Sequence, residues 1–278
     1  MYLGHFGLTE YPFGITPDTS FVYSASSHQE ALNTLLVATE SGEGFIKITG
    51  EVGTGKTLLC RRYIAQMERA GAAIAYIPNP QLEPRILLLA IAEELGIAMQ
   101  PLDYQFHLVN TLNAALLELA RAGRRVVVCL DEAQAIPRES LEHLRLLSNL
   151  ETEKSKLMQI IFFGQPELDE NLANPAVRQL RQRIAFEYRL HGLSRDEARQ
   201  YLAHRARVAG YRGGELFTGG AVRRLHKASR GTPRVINILA HKALLSAFGE
   251  GSAEVKGRHA LAAARDSASI VRQIGWWS

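Results

Sequence analysis

The stretch that decides the fold lies at residues 50–57 and reads G-E-V-G-T-G-K-T. It matches the phosphate-loop pattern G-x-x-x-x-G-K-[ST] at every defined position. A short β-prone run, residues 45–49, comes before it, and residues 58–64 after it are apolar at helical spacing. Strand, glycine loop and helix in this order are the context that the pattern requires. The sequence therefore predicts a phosphate-binding loop inside an α/β fold.

The residue types in this loop suit a nucleoside triphosphate. Gly53 and Gly55 let the backbone approach phosphate oxygens, while successive N–H groups and a helix N-terminus supply positive potential. We expect the Lys56 ammonium to reach the β- and γ-phosphates and the Thr57 hydroxyl to hold Mg²⁺. ATP or ADP with Mg²⁺ is thus the predicted ligand. The residues predicted around it are Gly50, Glu51, Val52, Gly53, Thr54, Gly55, Lys56, Thr57 and Leu58.

A second motif follows the apolar run at residues 126–130, which is typical of a strand covered on both faces. The run ends on Asp131 and Glu132, 75 residues after Lys56. At the carboxyl end of its strand, Asp131 would lie beside the phosphate loop and hold Mg²⁺ through water. Glu132 would act as the general base on the attacking water. The pair therefore predicts hydrolysis as well as binding.

Three further side chains are candidates for contacts with the nucleotide. Gln165 follows the apolar run at residues 157–163, and adjacent parallel strands end on the same edge of a sheet. We therefore expect Gln165 to contact the γ-phosphate or the attacking water; a plain turn residue is the alternative. Tyr23 and His28 precede the loop and are candidates for covering the base, with aromatic core packing as the alternative.

Arginines are candidates for stabilising phosphate charge. Arg178, Arg181 and Arg183 cluster in one segment, where one of them would reach a neighbouring subunit's site as an arginine finger. The alternative is the exposed face of a basic helix. Arg234 lies near a predicted helix N-terminus, where the helix dipole disfavours a cation unless an anion accompanies it. Nucleotide phosphate is the candidate anion.

The length and the charge distribution both predict two domains. The chain has 278 residues, more than a typical single domain, and 46% of them are hydrophobic. Residues 1–190 carry 17 basic and 22 acidic side chains, a charge of −5, whereas residues 191–278 carry 15 and 6, a charge of +9. We therefore predict an α/β nucleotide-binding domain at 1–190, with an N-terminal base-covering segment, and a domain of four helices at 191–278. The basic part would meet nucleic acid, anionic lipid or an acidic partner, or form a solvated surface.

Other features narrow the class of protein. No apolar run reaches the ~18 residues that cross a bilayer, and the first residues lack a signal-peptide pattern. Cys60 and Cys129 fall in predicted core elements and are expected to be buried free thiols in a reducing compartment. The histidines are scattered, without metal-ligand spacing. We expect a cytoplasmic protein.

The order of these motifs, with G-T-P-R-V-I-N at residues 231–237, resembles the AAA+ ATPases. The resemblance implies a P-loop sheet flanked by helices and followed by a small helical lid, at residues 191–278. It implies that Gln165 acts as sensor 1, Arg234 as sensor 2, and Arg181 or Arg183 as the arginine finger. A finger supplied by a neighbour implies a homo-oligomer that depends on nucleotide.

A narrower resemblance is to the secretion ATPases of the ExeA/GspA type. It rests on the aromatic opening of the chain, on G-E-G-F at residues 42–45 leading to the glycine loop, and on D-E-A-Q at residues 131–134. The resemblance implies assembly partners at the inner membrane and peripheral association with it. Longer relatives continue into a transmembrane helix and a periplasmic peptidoglycan-binding domain, whereas this sequence ends at residue 278. We therefore expect a role in a type IV, MSHA-like pilus or in type II secretion.

Two other hypotheses stay open. A DNA-acting ATPase, such as a transposition or replication-initiation adaptor, would explain the basic helical part, although no clear DNA-binding module follows it. A nucleotide-gated scaffold would bind ATP with little hydrolysis, although the Asp131-Glu132 pair favours hydrolysis. The predicted partners are thus secretion or pilus assembly proteins, with DNA as the alternative.

Overall fold

The computed structural model describes residues 2–14, 19–98, 105–148 and 156–269. The last of the four helices that the sequence predicts in residues 191–278 spans 253–274, and its end lies outside the described residues. The described residues contain five strands: β1 (Phe45–Gly50), β2 (Ala73–Ile77), β3 (Val126–Leu130), β4 (Gln159–Gly164) and β5 (Ile184–Leu190). The helices are α1 (Tyr2–Phe6), α2 (Ser26–Glu40), α3 (Lys56–Arg69), α4 (Pro84–Glu94), α5 (Gln105–Arg121), α6 (Arg138–Leu147), α7 (Glu167–Leu172), α8 (Arg178–Arg181), α9 (Arg195–Val208), α10 (Gly219–Ser229), α11 (Pro233–Gly249) and α12 (Gly257–Asp266).

The chain divides into two units. The α/β unit comprises His28–Glu51 and Lys56–Leu190, and the helical unit comprises Met1–Ser27, Val52–Gly55 and His191–Ser278. The sequence predicts the whole of 1–190 as one domain. The structure differs because the N-terminal segment and the tip of the glycine loop pack in the helical unit.

The α/β unit contains one parallel sheet with the strand order β2-β3-β4-β1-β5. Residues along β1, β3 and β4 are buried on both faces and contribute alternately to two cores. Helices α2 and α3 cover one face, and α4 to α8 cover the other. This burial explains why the sequence shows unbroken apolar runs rather than alternation, and it confirms the predicted parallel sheet.

The two cysteines are brought together by this packing. Cys60 of α3 and Cys129 of β3 are both fully buried in the same core. Burial raises the pKa of the Cys60 thiol, and its hydrogen bond with Cys129 acts in the same direction. The Cys60 thiol is therefore held neutral.

The core of the helical unit combines small and large side chains. Helices α9 to α12 contribute many alanines to it, and the N-terminal segment contributes the rings of Tyr2, Phe6, Phe13 and Phe21. Because alanines leave space between helices, bulky rings from elsewhere in the chain are needed to fill the core to normal density. The first residues of this segment form the short helix α1.

Polar contacts also fix the N-terminal segment within the helical unit. Buried Arg205 donates to the carbonyl of Pro12 and lies over the Phe21 ring, 4.7 Å from its centroid. Asn237 donates to the carbonyl of Gly14 at 3.0 Å. These bonds satisfy buried polar groups that would otherwise destabilise the core. Among the residues that the structure describes, none of the helices has the length and apolar character of a membrane span.

Candidate nucleotide site

The glycine loop connects β1 to α3 through a backbone that only glycine adopts readily. Gly53 has φ +80° and Gly55 has φ +101°. A Cβ atom on Gly53 would lie 2.6 Å from the Cβ of Arg234, closer than real Cβ contacts allow. The two left-handed glycines and the close approach of Arg234 leave no room for a larger residue at Gly53. The loop as a phosphate cradle stays a prediction.

Lys56 opens α3 and is 5% exposed. Its Nζ donates to the carbonyl oxygens of Gly50, at 2.8 Å, and Glu51, at 3.1 Å, so that the ammonium lies inside the curve of the loop. Burial lowers the pKa of Lys56, while nearby carboxylates, chiefly those of Glu132 and Asp131, act against this shift. A buried cation at this point is suited to neutralising phosphate charge.

Thr57 and Asp131 come together although they are 74 residues apart. The Thr57 hydroxyl donates to Asp131 Oδ2 at 2.8 Å, and the Tyr76 hydroxyl approaches the same oxygen at 3.4 Å. Asp131 is 3% exposed; burial raises its pKa, while the bonds from Thr57 and from the Glu132 N–H act to lower it. Burial and the Asp131 carboxylate raise the pKa of Tyr76 to about 12, so its hydroxyl stays a donor.

The oxygen atoms of Thr57 and Asp131 suit magnesium. Mg²⁺ usually takes one or two protein oxygen ligands and completes its shell with water and phosphate oxygens. Within the described ranges, no group of three or more histidines, cysteines or acids has the arrangement of a metal site. A hydroxyl and a single carboxylate beside a phosphate loop fit Mg²⁺ better than they fit a zinc site.

Glu132 lies next to Asp131 in a left-handed backbone conformation, with φ +50° and ψ +39°. Its Oε2 accepts one hydrogen bond from Gln134 Nε2, at 2.6 Å, and another from Gln165 Nε2, at 2.9 Å. Burial alone would raise the pKa of Glu132. The two amide donors and the Lys56 charge outweigh it and hold the pKa below its usual value.

The strand order explains why these side chains meet. Strand β4 lies between β3 and β1, so Gln165 after β4 lies between the acidic pair after β3 and the glycine loop after β1. Carboxyl ends of neighbouring parallel strands share one edge, which is where ligands bind in open α/β sheets. The structure thus brings Lys56, Thr57, Asp131, Glu132 and Gln165 to this edge, as the sequence predicts.

Arg234 lies in the helical unit, in the first turn of α11, and contacts the tip of the glycine loop. Its side chain packs against Gly53, and its backbone N–H donates to the Gly53 carbonyl at 3.3 Å. Within this unit, therefore, a cation at a helix N-terminus adjoins the loop that is predicted to hold phosphate. Phosphate bound in that loop would be the anionic partner that a cation at a helix N-terminus requires.

The clustered arginines do not have equivalent surroundings. Arg183 donates through Nη1 to Ser148 Oγ, at 2.9 Å, and to the Arg145 carbonyl, at 3.3 Å, both near the end of α6. Arg178 and Arg181 are exposed. All three arginines are exposed, and what distinguishes Arg183 is its bonds to the end of α6.

The two residues predicted to cover the base fall in different units. Tyr23 belongs to the helical unit, where its hydroxyl donates to Gln200 Oε1 at 2.7 Å and its ring packs against Tyr201 and His204. His28 is buried in the α/β unit. Their contact with a base stays a prediction.

Three residues of the site have no role assigned from the sequence. Tyr76 ends near Asp131, Gln134 bonds Glu132, and the Asn171 side chain donates to the Gln134 carbonyl at 2.9 Å. Tyr76 precedes the end of β2, so the rule that parallel strands end on one edge would have found it. Gln134 belongs to the D-E-A-Q run, which assigns it no role, and Asn171 lies in a short helix that no period or spacing signals.

The sequence matches known proteins. Residues 39–172 match the family profile of the AAA domain. The chain is 42% identical over 278 residues to the general secretion pathway protein A of Aeromonas hydrophila, and it spans 50% of that protein's length.

Two solved structures share the fold. Cdc6p from Pyrobaculum aerophilum aligns with a TM-score of 0.64 at 18% identity, covering 86% of this chain and 68% of Cdc6p. The ORC2 protein of Aeropyrum pernix, solved in ADPNP-ADP complexes, aligns with a TM-score of 0.62 at 18% identity, covering 91% of this chain and 72% of ORC2. The protein therefore has the fold of the AAA-type P-loop proteins, and residues 39–172 carry its match to the AAA domain family.

Proposed function

We propose that this protein binds ATP with Mg²⁺ and hydrolyses it to ADP and phosphate. The observation that carries the proposal is the 2.8 Å bond between Thr57 Oγ1 and Asp131 Oδ2. It joins the phosphate loop to the acidic pair at one sheet edge, with Glu132 and Gln165 beside them. The residues proposed to bind phosphate, to hold the metal ion and to act as the base therefore lie close together.

Each side chain has a separate task in this mechanism. Lys56 and the loop N–H groups neutralise phosphate charge, while Thr57 and Asp131 would hold Mg²⁺. Bound Mg²⁺ would supply additional positive charge at the phosphate oxygens. Glu132 accepts a proton from the attacking water. The lowered pKa of the Glu132 carboxyl keeps it ionised at neutral pH, so that it is free to accept. Gln165 orients Glu132 and the water.

Two arginines complete the proposal. Arg234, which contacts Gly53, would respond to the charge of the phosphates and link nucleotide state to the helical unit. Arg181 is the better candidate for an arginine finger, because Arg183 is already bonded to the end of α6. A finger supplied in trans makes hydrolysis depend on a homo-oligomer.

The biological role that we propose is assembly of secretion or pilus machinery. Its support is the 42% identity to general secretion pathway protein A. The runs I-P-N-P at residues 77–80 and L-L-C-R at residues 58–61 favour the MshM type of the MSHA pilus system within that group. The protein would act in the cytoplasm, at the surface of the inner membrane, on assembly partners there.

The test of the activity uses Lys56→Ala and Glu132→Gln. We expect Lys56→Ala to lose binding of a fluorescent ATP analogue, whereas Glu132→Gln keeps binding but loses at least about 100-fold in turnover, the scale of a general base. Glu118→Gln, an exposed glutamate on α5, is the matched control and should leave both unchanged. Turnover that survives in both site variants would refute the ATPase proposal.

The role in assembly has its own test. In a strain lacking the gene, the unaltered chain should restore pilus formation or secretion, and Glu132→Gln should not. Restoration by Glu132→Gln would show that hydrolysis has no part in the role.

A further inference from the structure

We infer that Gln134 is a positioning residue, which fixes the Glu132 carboxylate so that one of its oxygens is directed at the attacking water. The inference rests on the proposed ATPase function. It concerns a residue to which neither the phosphate loop nor the acidic pair assigns a role.

The first observation is that two amide donors converge on one oxygen. Gln134 Nε2 lies 2.6 Å from Glu132 Oε2, and Gln165 Nε2 lies 2.9 Å from the same atom. A carboxylate held at one oxygen by two donors loses its freedom to rotate about its terminal bond. Oε2 is therefore the anchored oxygen, and Oε1 is the oxygen assigned to proton transfer.

The second observation is that Gln134 is itself fixed at its other end. Its Oε1 accepts the backbone N–H of Gln165 at 3.0 Å, and Asn171 Nδ2 donates to its backbone carbonyl at 2.9 Å. Because a backbone N–H can only donate, the Gln134 amide must present its NH₂ group to Glu132. The hydrogen bonds at both ends of the Gln134 amide therefore determine which end faces Glu132. Gln134 joins the tip of β4 to the carboxylate after β3.

The third observation is the backbone of Glu132. A non-glycine residue at φ +50° costs free energy, and such conformations persist where the surroundings hold them. The turn at Ala133–Ala135 follows directly and contains Gln134. The Glu132 side chain is therefore held by Gln134, a residue of the turn that directly follows the strained position. Such an arrangement serves a group whose direction matters more than its stability.

The test replaces the amide and keeps its shape. We expect Gln134→Met to lower kcat by about 10- to 100-fold, less than the roughly 10²- to 10⁴-fold that a general base contributes. KM and the affinity for a fluorescent ATP analogue should stay within about twofold, since no phosphate contact is lost. Gln134→Glu is a second variant, for use if Gln134→Met folds poorly. It cannot donate when ionised and adds a like charge beside Glu132, so it should give the same loss of kcat.

Gln159 provides a matched control at the opposite end of β4. It is a buried glutamine whose amide donates to the carbonyls of Thr39 and Glu43, far from the carboxyl edge. Gln159→Met also loses two hydrogen bonds and should lower the melting temperature, while kcat stays within about twofold. A merely structural Gln134 would behave like Gln159.

A double variant separates this inference from the proposed function. If Gln134 acts through Glu132, adding Gln134→Met to Glu132→Gln should lower kcat no further. A wild-type kcat in Gln134→Met and Gln134→Glu, or a full further loss in the double variant, overturns the positioning role. Turnover that is unaffected by Glu132→Gln alone overturns the ATPase proposal instead.

Discussion

At the scale of single residues, Gly53 combines a left-handed backbone with a close neighbour. Its φ is +80°, and an added Cβ would overlap the Cβ of Arg234 at 2.6 Å. Gly42 has nearly the same conformation, φ +75°, but nothing lies within 4 Å of an added Cβ there. The two glycines therefore separate backbone strain from steric overlap.

We predict that Gly53→Ala lowers affinity for ATP more than tenfold, because the loop must shift away from Arg234 to accommodate the methyl group. Gly42→Ala should cost about 1–2 kcal/mol of stability from backbone strain and leave the affinity unchanged. Titration of a fluorescent ATP analogue and urea unfolding measure the two effects. Equal affinities in the two variants would show that the contact with Arg234 does not shape the loop.

The sequence predicted the residues that can take part in the chemistry, but not the residues that hold them in position. Lys56, Thr57 and Asp131 follow from fixed spacings, and strand ends placed Gln165 near them. Gln134 lies in the D-E-A-Q run, but the run gives it no role, because that role depends on β4 lying beside β3, a pairing that forms between distant segments. Local pattern predicts which residues can do chemistry; tertiary pairing decides which side chains hold them.

At the scale of elements, the start of α9 shows how one carboxylate joins two segments. The Ser194 hydroxyl accepts the Glu197 N–H, and Glu197 in turn accepts the Ser194 N–H at 2.9 Å, forming a capping box. The same carboxylate accepts the N–H and the hydroxyl of Ser26, at 2.9 and 2.6 Å. Burial alone would raise the pKa of Glu197, but these bonds outweigh it and lower the pKa to about 2. The cap is local to the start of α9, whereas the contact with Ser26 is tertiary.

We predict that this carboxylate makes the stability of the helical unit depend on pH. Because the pKa is lower in the folded state than the ordinary 4.5, the contribution is complete above pH 4.5 and is lost as pH falls toward 2. Glu197→Gln should therefore melt lower than the unaltered protein at pH 7, and the gap should narrow at pH 3. Melting curves followed by circular dichroism check this. A gap that is constant with pH would exclude the ionised carboxylate as its cause.

At the scale of the whole molecule, the sheet and the helices were predictable, but the membership of the N-terminal segment was not. Apolar and β-prone runs at residues 45–49, 126–130 and 157–163 predicted three of the strands, and four helices were predicted in residues 191–278, where α9 to α12 lie. Neither pattern says which distant surface receives a set of aromatic rings. In the structure these rings share one core with the alanines and the larger apolar side chains of α9 to α12.

This packing gives a prediction that distinguishes the two assignments of the N-terminal segment. Phe13 is 2% exposed, and its ring meets that of Phe217 edge to face at 5.5 Å, within the helical unit. Phe13→Ala should cost about 3–5 kcal/mol. Amide hydrogen exchange should accelerate in α9 to α12 and stay slow in β1 to β5, since local stability follows local packing. Tyr11 is a neighbouring ring that is 56% exposed. Tyr11→Ala should therefore change the stability by no more than about 0.5 kcal/mol and leave the exchange rates unchanged. Faster exchange in the strands, with the four helices unaffected, would instead place the N-terminal segment with residues 28–190, as the charge and motif pattern of the sequence predicts.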